Sequence, residues 1–255
     1  MERIKGTSIC LFSSKGGVGK TINIMNLAGI YELLEKKVLV IDFDLYTGDI
    51  ALISNKKTKK DLYDLSLDLD HRKYNKITNY ITKIDDYIDI LASPKDPRIS
   101  SMINTNYINK IIKDAKEEYD VVLVDTNHAL NDVSLSVLDS VDKTILITTN
   151  DPLDIKSMRT LISIFKEEEY TKYKVLLNNS RDPYKMYFTL FDIKKMINHN
   201  IDYTLSEELY IKDIEKYIMD GKILTLERKF PDLYMRDYKS LVRIATDMLE
   251  GDKNE

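Results

Sequence analysis

The stretch SKGGVGKT at residues 14–21 constrains the fold more than any other part of the chain, because it places three of the eight glycines within four positions. An apolar run, SICLFS at 8–13, precedes it, and a helical pattern follows it. Glycine adopts backbone angles that a Cβ forbids, so Gly16, Gly17 and Gly19 predict a tight loop between a strand and a helix. In that context successive backbone N–H groups form a cradle for phosphate at the N-terminus of the helix.

The loop is a variant of the pattern G-x-x-x-x-G-K-[ST], because Ser14 stands where that pattern has its first glycine. The pattern assigns Lys20 to the β- and γ-phosphates and the Thr21 hydroxyl to Mg²⁺. The sequence therefore predicts a site for a nucleotide and Mg²⁺. The predicted nucleotide-binding residues of the loop are Gly16, Gly17, Val18, Gly19, Lys20, Thr21 and Ile22.

Short apolar runs alternate with helical patterns along the chain, and several of the runs are apolar on both faces, as buried parallel strands are. The strand candidates are 8–13, 37–43, 87–92, 120–126, 143–149, 173–179 and 201–206. Helical patterns cover 106–119 and 152–165. This alternation predicts an α/β fold with a doubly wound, mostly parallel sheet of seven or eight strands. We expect a single domain over 1–255, in which 54–85 is least regular and forms a surface loop with short helices.

Two of the apolar strands end in acidic residues, and ligands of such folds bind at the carboxyl ends of the strands. VLVIDFD delivers Asp42 and Asp44, and VVLVD delivers Asp125. We assign Asp125 to Mg²⁺ through its water shell. We expect the side chains of Asp42 and Asp44 to point to different faces at the strand end. We expect Asp42 to bond to the loop or to the waters of Mg²⁺, and Asp44 to orient the attacking water.

The composition excludes several classes of protein. The net charge of −4 argues against a global field that recruits DNA, so DNA is not an expected partner. The single cysteine, Cys10, cannot form an internal disulfide or a metal cluster within the chain, so we expect the cytoplasm as the compartment. No run of 18 apolar residues occurs, and membrane association is expected to be peripheral at most.

SSKGGVGKT, VLVIDFDLYTGD and YDVVLVDT together resemble the deviant-Walker ATPases of the ParA/MinD family, whose distinguishing mark is a lysine before the glycines, here Lys15. The resemblance implies a slow Mg²⁺-dependent ATPase whose homodimer holds two ATP molecules between its subunits. Lys15 would reach across the dimer interface to neutralise the partner's γ-phosphate, as an arginine finger does. The segment VLLNN resembles the one whose asparagine reads adenine; Asn178 fits that position, and Asn179 is the second candidate.

Within the family, DFDLYTGDIAL is similar to the CpaE/TadZ branch, which acts in Flp/Tad pilus assembly. That branch implies protein partners in a polar or pilus machine and recruitment to a cell pole or the inner membrane face. Its members often carry an N-terminal receiver-like domain, so we expect a fragment or a shorter relative. The chain departs from the family at Ile22, where a threonine is usual, and at Asn127 and His128, where prolines or glycine are usual. His128 is either a pH sensor near the γ-phosphate or an ordinary loop histidine.

Three alternatives to pilus assembly stay open at this point. A division regulator like MinD needs a basic amphipathic C-terminal helix, and the amphipathic end here, from 238 onward, finishes acidic. A partition ATPase like ParA needs a basic stripe, and the only dense cluster lies at 56–60. A nucleotide-bound scaffold with little hydrolysis fits the departures at Ile22 and Asn127.

Overall fold

The computed structural model describes residues 5–181, 187–209, 217 and 219–250. Within these residues eight strands form one sheet in the order β3-β4-β2-β5-β1-β6-β7-β8. The strands are β1 Thr7–Phe12, β2 Val38–Phe43, β3 Thr82–Lys83, β4 Ile88–Leu91, β5 Val121–Thr126, β6 Lys143–Thr148, β7 Tyr173–Asn178 and β8 Tyr203–Leu205. All neighbouring strands run parallel except β3, which pairs antiparallel with β4.

Helices follow most of the strands and cover both faces of the sheet. Among the described residues they are α1 Lys20–Leu33, α2 Asp49–Ile53, α3 Leu62–Asp70, α4 Ile108–Glu118, α5 Asp132–Ser140, α6 Pro152–Glu167, α7 Leu190–Ile197, α8 Phe230–Leu233 and α9 Met235–Leu249. Residues of α3 to α7 pack into one apolar cluster, and residues of α1, α2, α8 and α9 pack into a second. The fold is therefore the doubly wound α/β sheet that the sequence predicts.

The strand β1 shows how the two clusters arise. Its residues Cys10 and Phe12 enter the first cluster, whereas Ile9 and Leu11 enter the second, and all four are fully buried. Successive side chains of a strand point to opposite faces, so a strand with a helix layer on each side must be apolar throughout. The continuous apolar runs of the sequence are the direct consequence.

Each of the seven predicted strands is present, and within the described residues the one additional strand is β3. It has only two residues, too few for an alternating pattern, and it lies within the least regular stretch, 54–85. That stretch also contains α3, which Asp61 caps by accepting from the backbone N–H groups of Tyr63 and Asp64. Leu62 of this helix is fully buried, so the stretch contributes to the core.

The amphipathic end of the chain is the helix α9, and its apolar side is already occupied. Leu241, Ile244, Ala245 and Met248 are buried in the cluster that contains α1. The Tyr31 hydroxyl of α1 donates to the Ala245 carbonyl oxygen at 3.1 Å. The helix thus closes the core beside α1. Nowhere in the described part of the chain is a helix both long and apolar enough to cross a bilayer.

Strand pairing brings the carboxyl ends of β1, β2 and β5 together in the middle of the sheet. Leu11 pairs with Asp125, and Asp42 pairs with Asp125 on its other side. The glycine loop leaves β1 at this edge and enters α1. Strand order also reverses around β1, and such reversal points form the binding crevice of open α/β sheets.

Candidate nucleotide-binding site

The glycine loop has backbone angles that require glycine at two positions. Gly17 has φ of 74° and Gly19 has φ of 95°, both in the left-handed region. A Cβ at Gly19 would lie 2.8 Å from Nδ2 of Asn178, closer than side-chain carbons approach. Gly19 is also the residue from which α1 begins, so the free N–H groups of its first turn face the cavity above the loop. This is the cradle that the sequence predicts for phosphate.

Lys20 is held beneath the loop. Its side chain is buried, and its Nζ donates to Oγ of Ser13 at 2.9 Å. The Ser13 hydroxyl donates in turn to the carbonyl oxygen of Lys15 at 2.7 Å. Burial lowers the pKa of Lys20, and the carboxylates of Asp125 and Asp44 oppose that shift. The Lys20 ammonium group therefore lies near the carboxylates of Asp125 and Asp44 and beside the first residues of the loop.

Thr21 and Asp125 meet at the floor of the site. The Thr21 hydroxyl donates to Oδ2 of Asp125 at 2.7 Å, and the backbone N–H of Thr126 donates to Oδ1 at 3.1 Å. Asp125 is only 1% exposed, and burial raises its pKa to about 7 against the hydrogen bond from Thr21 and the charge of Lys20. A hydroxyl and a carboxylate in contact are oxygen ligands of the kind that Mg²⁺ prefers.

Asp42 is enclosed by the segment that follows it. The carboxylate is fully buried and accepts from the backbone N–H groups of Asp44 at 3.1 Å and Ile50 at 3.2 Å. The Ser93 hydroxyl donates to it at 3.4 Å. Burial and the neighbouring charge of Asp125 raise the pKa of Asp42 well above its ordinary value. These contacts make Asp42 an anchor for the β2–α2 loop.

Asp44 lines the cavity above the glycine loop, together with the first turn of α1. In the part of the chain that the structure describes, its carboxylate accepts one hydrogen bond, from the backbone N–H of Thr47 at 3.4 Å. That contact is long and leaves the rest of the carboxylate available to the cavity. The cavity has a volume of about 490 Å³. It is lined by Gly16, Gly17, Gly19, Lys20, Thr21, Ile22, Asp44, Thr47, Asp49, Leu52, Ile53 and His128.

Lys15 points away from its own cradle. Its Nζ forms an ion pair with Oδ1 of Asp151 at 3.2 Å, and the side chains are 44% and 37% exposed. Asp151 is the N-cap of α6 and accepts from the backbone N–H groups of Leu153 and Asp154. An ion pair this exposed contributes about 0–1 kcal/mol, so Lys15 is held only weakly.

Asn178 and Asn179 differ in what remains available for a ligand. Nδ2 of Asn178 donates to the Val18 carbonyl oxygen at 2.9 Å, and its Oδ1 accepts from the hydroxyl and the N–H of Ser180. Asn178 thereby fixes the glycine loop. Oδ1 of Asn179 is buried and has no hydrogen-bond partner among the described residues. The side chain of Val18 is buried as well, which leaves only its backbone for ligand contact.

The residues present fit a nucleotide with Mg²⁺. Besides Oδ1 of Asn179, two further buried oxygens around the loop lack partners in the described part of the chain, Oγ of Ser14 and Oδ1 of Asn23. A buried polar atom without a partner is costly, and a bound polar ligand would remove that cost. The described residues contain no cluster of three or more histidine, cysteine or acidic side chains for a metal. Mg²⁺ needs none, because it keeps several waters and binds substrate phosphates.

Three residues that contact the site are not predicted from the sequence. Ser13 bonds to the Lys20 ammonium group, Ser93 bonds to Asp42, and Asp151 bonds to Lys15. Ser13 and Ser93 are ordinary residues at strand ends, without a sequence signal. Asp151 did have one, because an aspartate directly before Pro152 is typical of a helix N-cap at a strand-to-helix turn.

The fold and the glycine loop together define a P-loop nucleotide-binding domain of the α/β class. A family model described as an AAA domain, AAA_31, matches residues 6–178. The chain therefore belongs to this family, and the ParA/MinD resemblance is confirmed at this level.

Three relatives illustrate the match. The septum site-determining protein MinD of Bacillus subtilis (strain 168) is 22% identical over 196 residues, which is 76% of this chain and 72% of that protein. The structure of a ParA family ATPase from Chlorobium tepidum TLS has a TM-score of 0.79 and 22% identity, covering 94% of this chain and 98% of that one. The structure of MinD complexed with Mg-ADP from Pyrococcus horikoshii OT3 has a TM-score of 0.74 and 19% identity, covering 97% and 96%. At these identities the two structures establish the fold.

Proposed function

We propose that this protein is a Mg²⁺-dependent ATPase whose ATP-bound form dimerises and positions a larger cellular machine. The observation that carries the proposal is the combination of a complete phosphate cradle with a second, weakly held lysine. Lys20 and Thr21 serve the cradle from within, whereas Lys15 stands outside it on an exposed ion pair. A site that only bound nucleotide would need no such second lysine.

In the proposed site each residue has a role that its contacts support. The backbone of the loop and the ammonium group of Lys20 bind the phosphates, which stabilises the charge that develops during transfer. Thr21 and Asp125 would hold Mg²⁺ directly or through its waters, and the ion would supply positive charge to the phosphates. Asp42 holds the β2–α2 loop in place. Asp44, at the open side of the cavity, orients the attacking water.

Dimerisation follows from the chemistry of Lys15. Burying a cation in an interface is unfavourable unless an anion is close. The terminal phosphate of ATP in the partner subunit supplies that anion, and ADP does not. Lys15 would leave its ion pair with Asp151 and pair with this phosphate instead. The dimer therefore forms with ATP and separates after hydrolysis.

The proposed cargo is the machinery of Flp/Tad pilus assembly, at a cell pole or the inner membrane face. The support is the likeness of DFDLYTGDIAL to the CpaE/TadZ branch. The likeness to MinD of B. subtilis supports a division-site regulator as the second candidate. Affinity capture from the native organism with and without ATP separates the two, since recovery of pilus secretion proteins only with ATP supports the first. Recovery of division proteins or DNA instead would contradict it.

The ATPase itself is tested by calorimetry with Mg²⁺ and ATP. Wild-type protein should bind with a saturable isotherm, and Lys20→Ala should abolish it, because charge-assisted contacts to phosphate are lost. Lys113→Ala, at an exposed position of α4, is the matched control and should bind like wild type. Equal binding by Lys20→Ala and the control would show that the glycine loop is only a structural turn.

A further inference from the structure

The segment after β5 is shaped by Asn127. Its Oδ1 accepts from the backbone N–H of Ala129 at 2.9 Å and from the hydroxyl of Ser134, in α5, at 3.2 Å. An asparagine that bonds to the backbone two residues onward forms a compact turn. The residue between the two bonded positions, His128, is thereby presented outward over the carboxyl edge of the sheet, three residues after Asp125.

His128 lies against the glycine loop. Its Nδ1 is 3.4 Å from the point where a Cβ of Gly16 would stand, so the ring occupies the space beside Gly16 that a larger side chain would need. The ring is exposed and lines the same cavity as Lys20, Thr21 and Asp44. The imidazole therefore faces the space in which the proposed function puts the phosphates.

The position of Lys20 indicates which end of the glycine loop the terminal phosphate would occupy. In a phosphate loop the lysine reaches the β- and γ-phosphates, whereas the backbone further along the loop surrounds the α- and β-phosphates. Here the Lys20 ammonium group bonds to Ser13, and Ser13 bonds to the carbonyl oxygen of Lys15. The first residues of the loop, up to Gly16, thus lie at the terminal-phosphate end, and His128 covers that end.

We propose that His128 is a nucleotide-binding residue that donates a hydrogen bond to the terminal phosphate of ATP and thereby distinguishes ATP from ADP. The assignment rests on the proposed function of the site. ADP lacks the terminal phosphate, so its phosphate chain would end beside Lys20. The imidazole would then have no phosphate to bind. In its protonated form the imidazole makes a charge-assisted bond, which is the stronger kind.

The charged groups around the cavity favour this partner. Lys20 lies at the inner side, Asp44 and Asp49 lie on the β2–α2 side, and Asp125 is buried beneath Thr21. Asp132, in the first turn of α5, is the first acidic residue after His128 in the chain. The terminal phosphate would add negative charge at the open end of the cavity, beside the imidazole.

The test compares the nonhydrolysable ATP analogue AMPPNP with ADP, both with Mg²⁺, by calorimetry at pH 6.5. His128→Ala should bind AMPPNP about tenfold more weakly than wild type, the loss of one charge-assisted hydrogen bond, and should bind ADP equally well. His199→Ala is the matched control, because His199 stacks near Tyr173 at the opposite end of β7. It should leave both affinities unchanged.

A second readout is the position of the His128 ring signals in NMR spectra. AMPPNP should shift these signals, because the ring gains a hydrogen-bond partner, and ADP should leave them near their nucleotide-free positions. Unchanged AMPPNP affinity in His128→Ala would overturn the assignment. So would an equal loss for AMPPNP and ADP, which would make the ring a support for the loop. Failure of wild type and His199→Ala to bind either nucleotide would instead overturn the proposed function itself.

Discussion

Asp125 is expected to destabilise the nucleotide-free protein at neutral pH, and its removal should make the protein more stable. The carboxyl is buried, and its pKa rises from 3.8 to about 7 on folding. The folded protein then binds more protons than the unfolded chain between these two values, so the free energy of unfolding falls as pH rises from about 4 to about 7. That rise in pKa corresponds to a loss of about 4 kcal/mol above pH 7.

The variant Asp125→Asn isolates this contribution, because the amide has the same shape and carries no charge. Without nucleotide or Mg²⁺ it should exceed wild type in stability by up to about 4 kcal/mol at pH 8 and by about 2 kcal/mol at pH 5. In a domain of this size the difference at pH 8 corresponds to a rise in Tm of roughly 10 °C. Thermal unfolding followed by circular dichroism measures it.

Asp139→Asn is the matched control, since Asp139 is an exposed carboxylate of α5 and the charge change is the same. It should leave Tm nearly unchanged at both values of pH. Addition of Mg²⁺ and ADP should raise the Tm of wild type and not that of Asp125→Asn. If Asp125→Asn is no more stable than wild type at pH 8, or if its advantage does not shrink toward pH 5, the reasoning from burial is refuted. Confirmation would identify a group kept for function at a cost in stability.

Three further substitutions test individual residues. Asp44→Ala should bind Mg²⁺ and ATP like wild type but release phosphate at least about tenfold more slowly, and an equal loss of binding would contradict a role in orienting water. Asn179→Leu should lower the preference for ATP over GTP in calorimetry, because it removes the unpartnered oxygen near the loop; an unchanged preference would exclude adenine recognition by Asn179. Asp151→Asn keeps the N-cap of α6 but removes the ion pair with Lys15, so dimerisation with ATP should strengthen about two- to fivefold. Concentration-dependent light scattering measures this change. Unchanged dimerisation would mean that the ion pair does not restrain Lys15.

The parts of the fold that the sequence predicts are those with a local physical cause. Buried parallel strands need apolar residues on both faces, so seven strands are predictable from their apolar runs. The order strand, glycine loop, helix predicts that Lys20 and Thr21 lie at the centre of the site. Asp125 is predictable as well, because it is an acidic residue at the end of an apolar run. The two-residue strand at 82–83 lacks any pattern of its own, because it exists only through pairing with Ile88–Leu91.

The remaining contacts depend on residues that are far apart in the sequence. Strand alternation puts residues two apart on the same face, so it does not separate Asp42 from Asp44. Their side chains differ because β2 ends at Phe43, and only the folded chain brings Ser93 and the N–H of Ile50 to Asp42. The ion pair of Lys15 joins residues 136 positions apart. Similarly, the sequence favours Asn178 over Asn179 for contact with adenine, but in the folded chain the Asn178 amide donates to the loop carbonyl oxygen of Val18.

The central claim is that the terminal phosphate controls dimerisation through Lys15, and light scattering tests it most directly. Wild type and Lys15→Ala are each measured with Mg²⁺ and AMPPNP, and with Mg²⁺ and ADP, at the same protein concentration. Wild type should be a dimer with AMPPNP and a monomer with ADP, whereas Lys15→Ala should bind both nucleotides and stay monomeric. A Lys15→Ala variant that dimerises with AMPPNP as wild type does, or a wild type whose mass is the same with both nucleotides, would contradict the account.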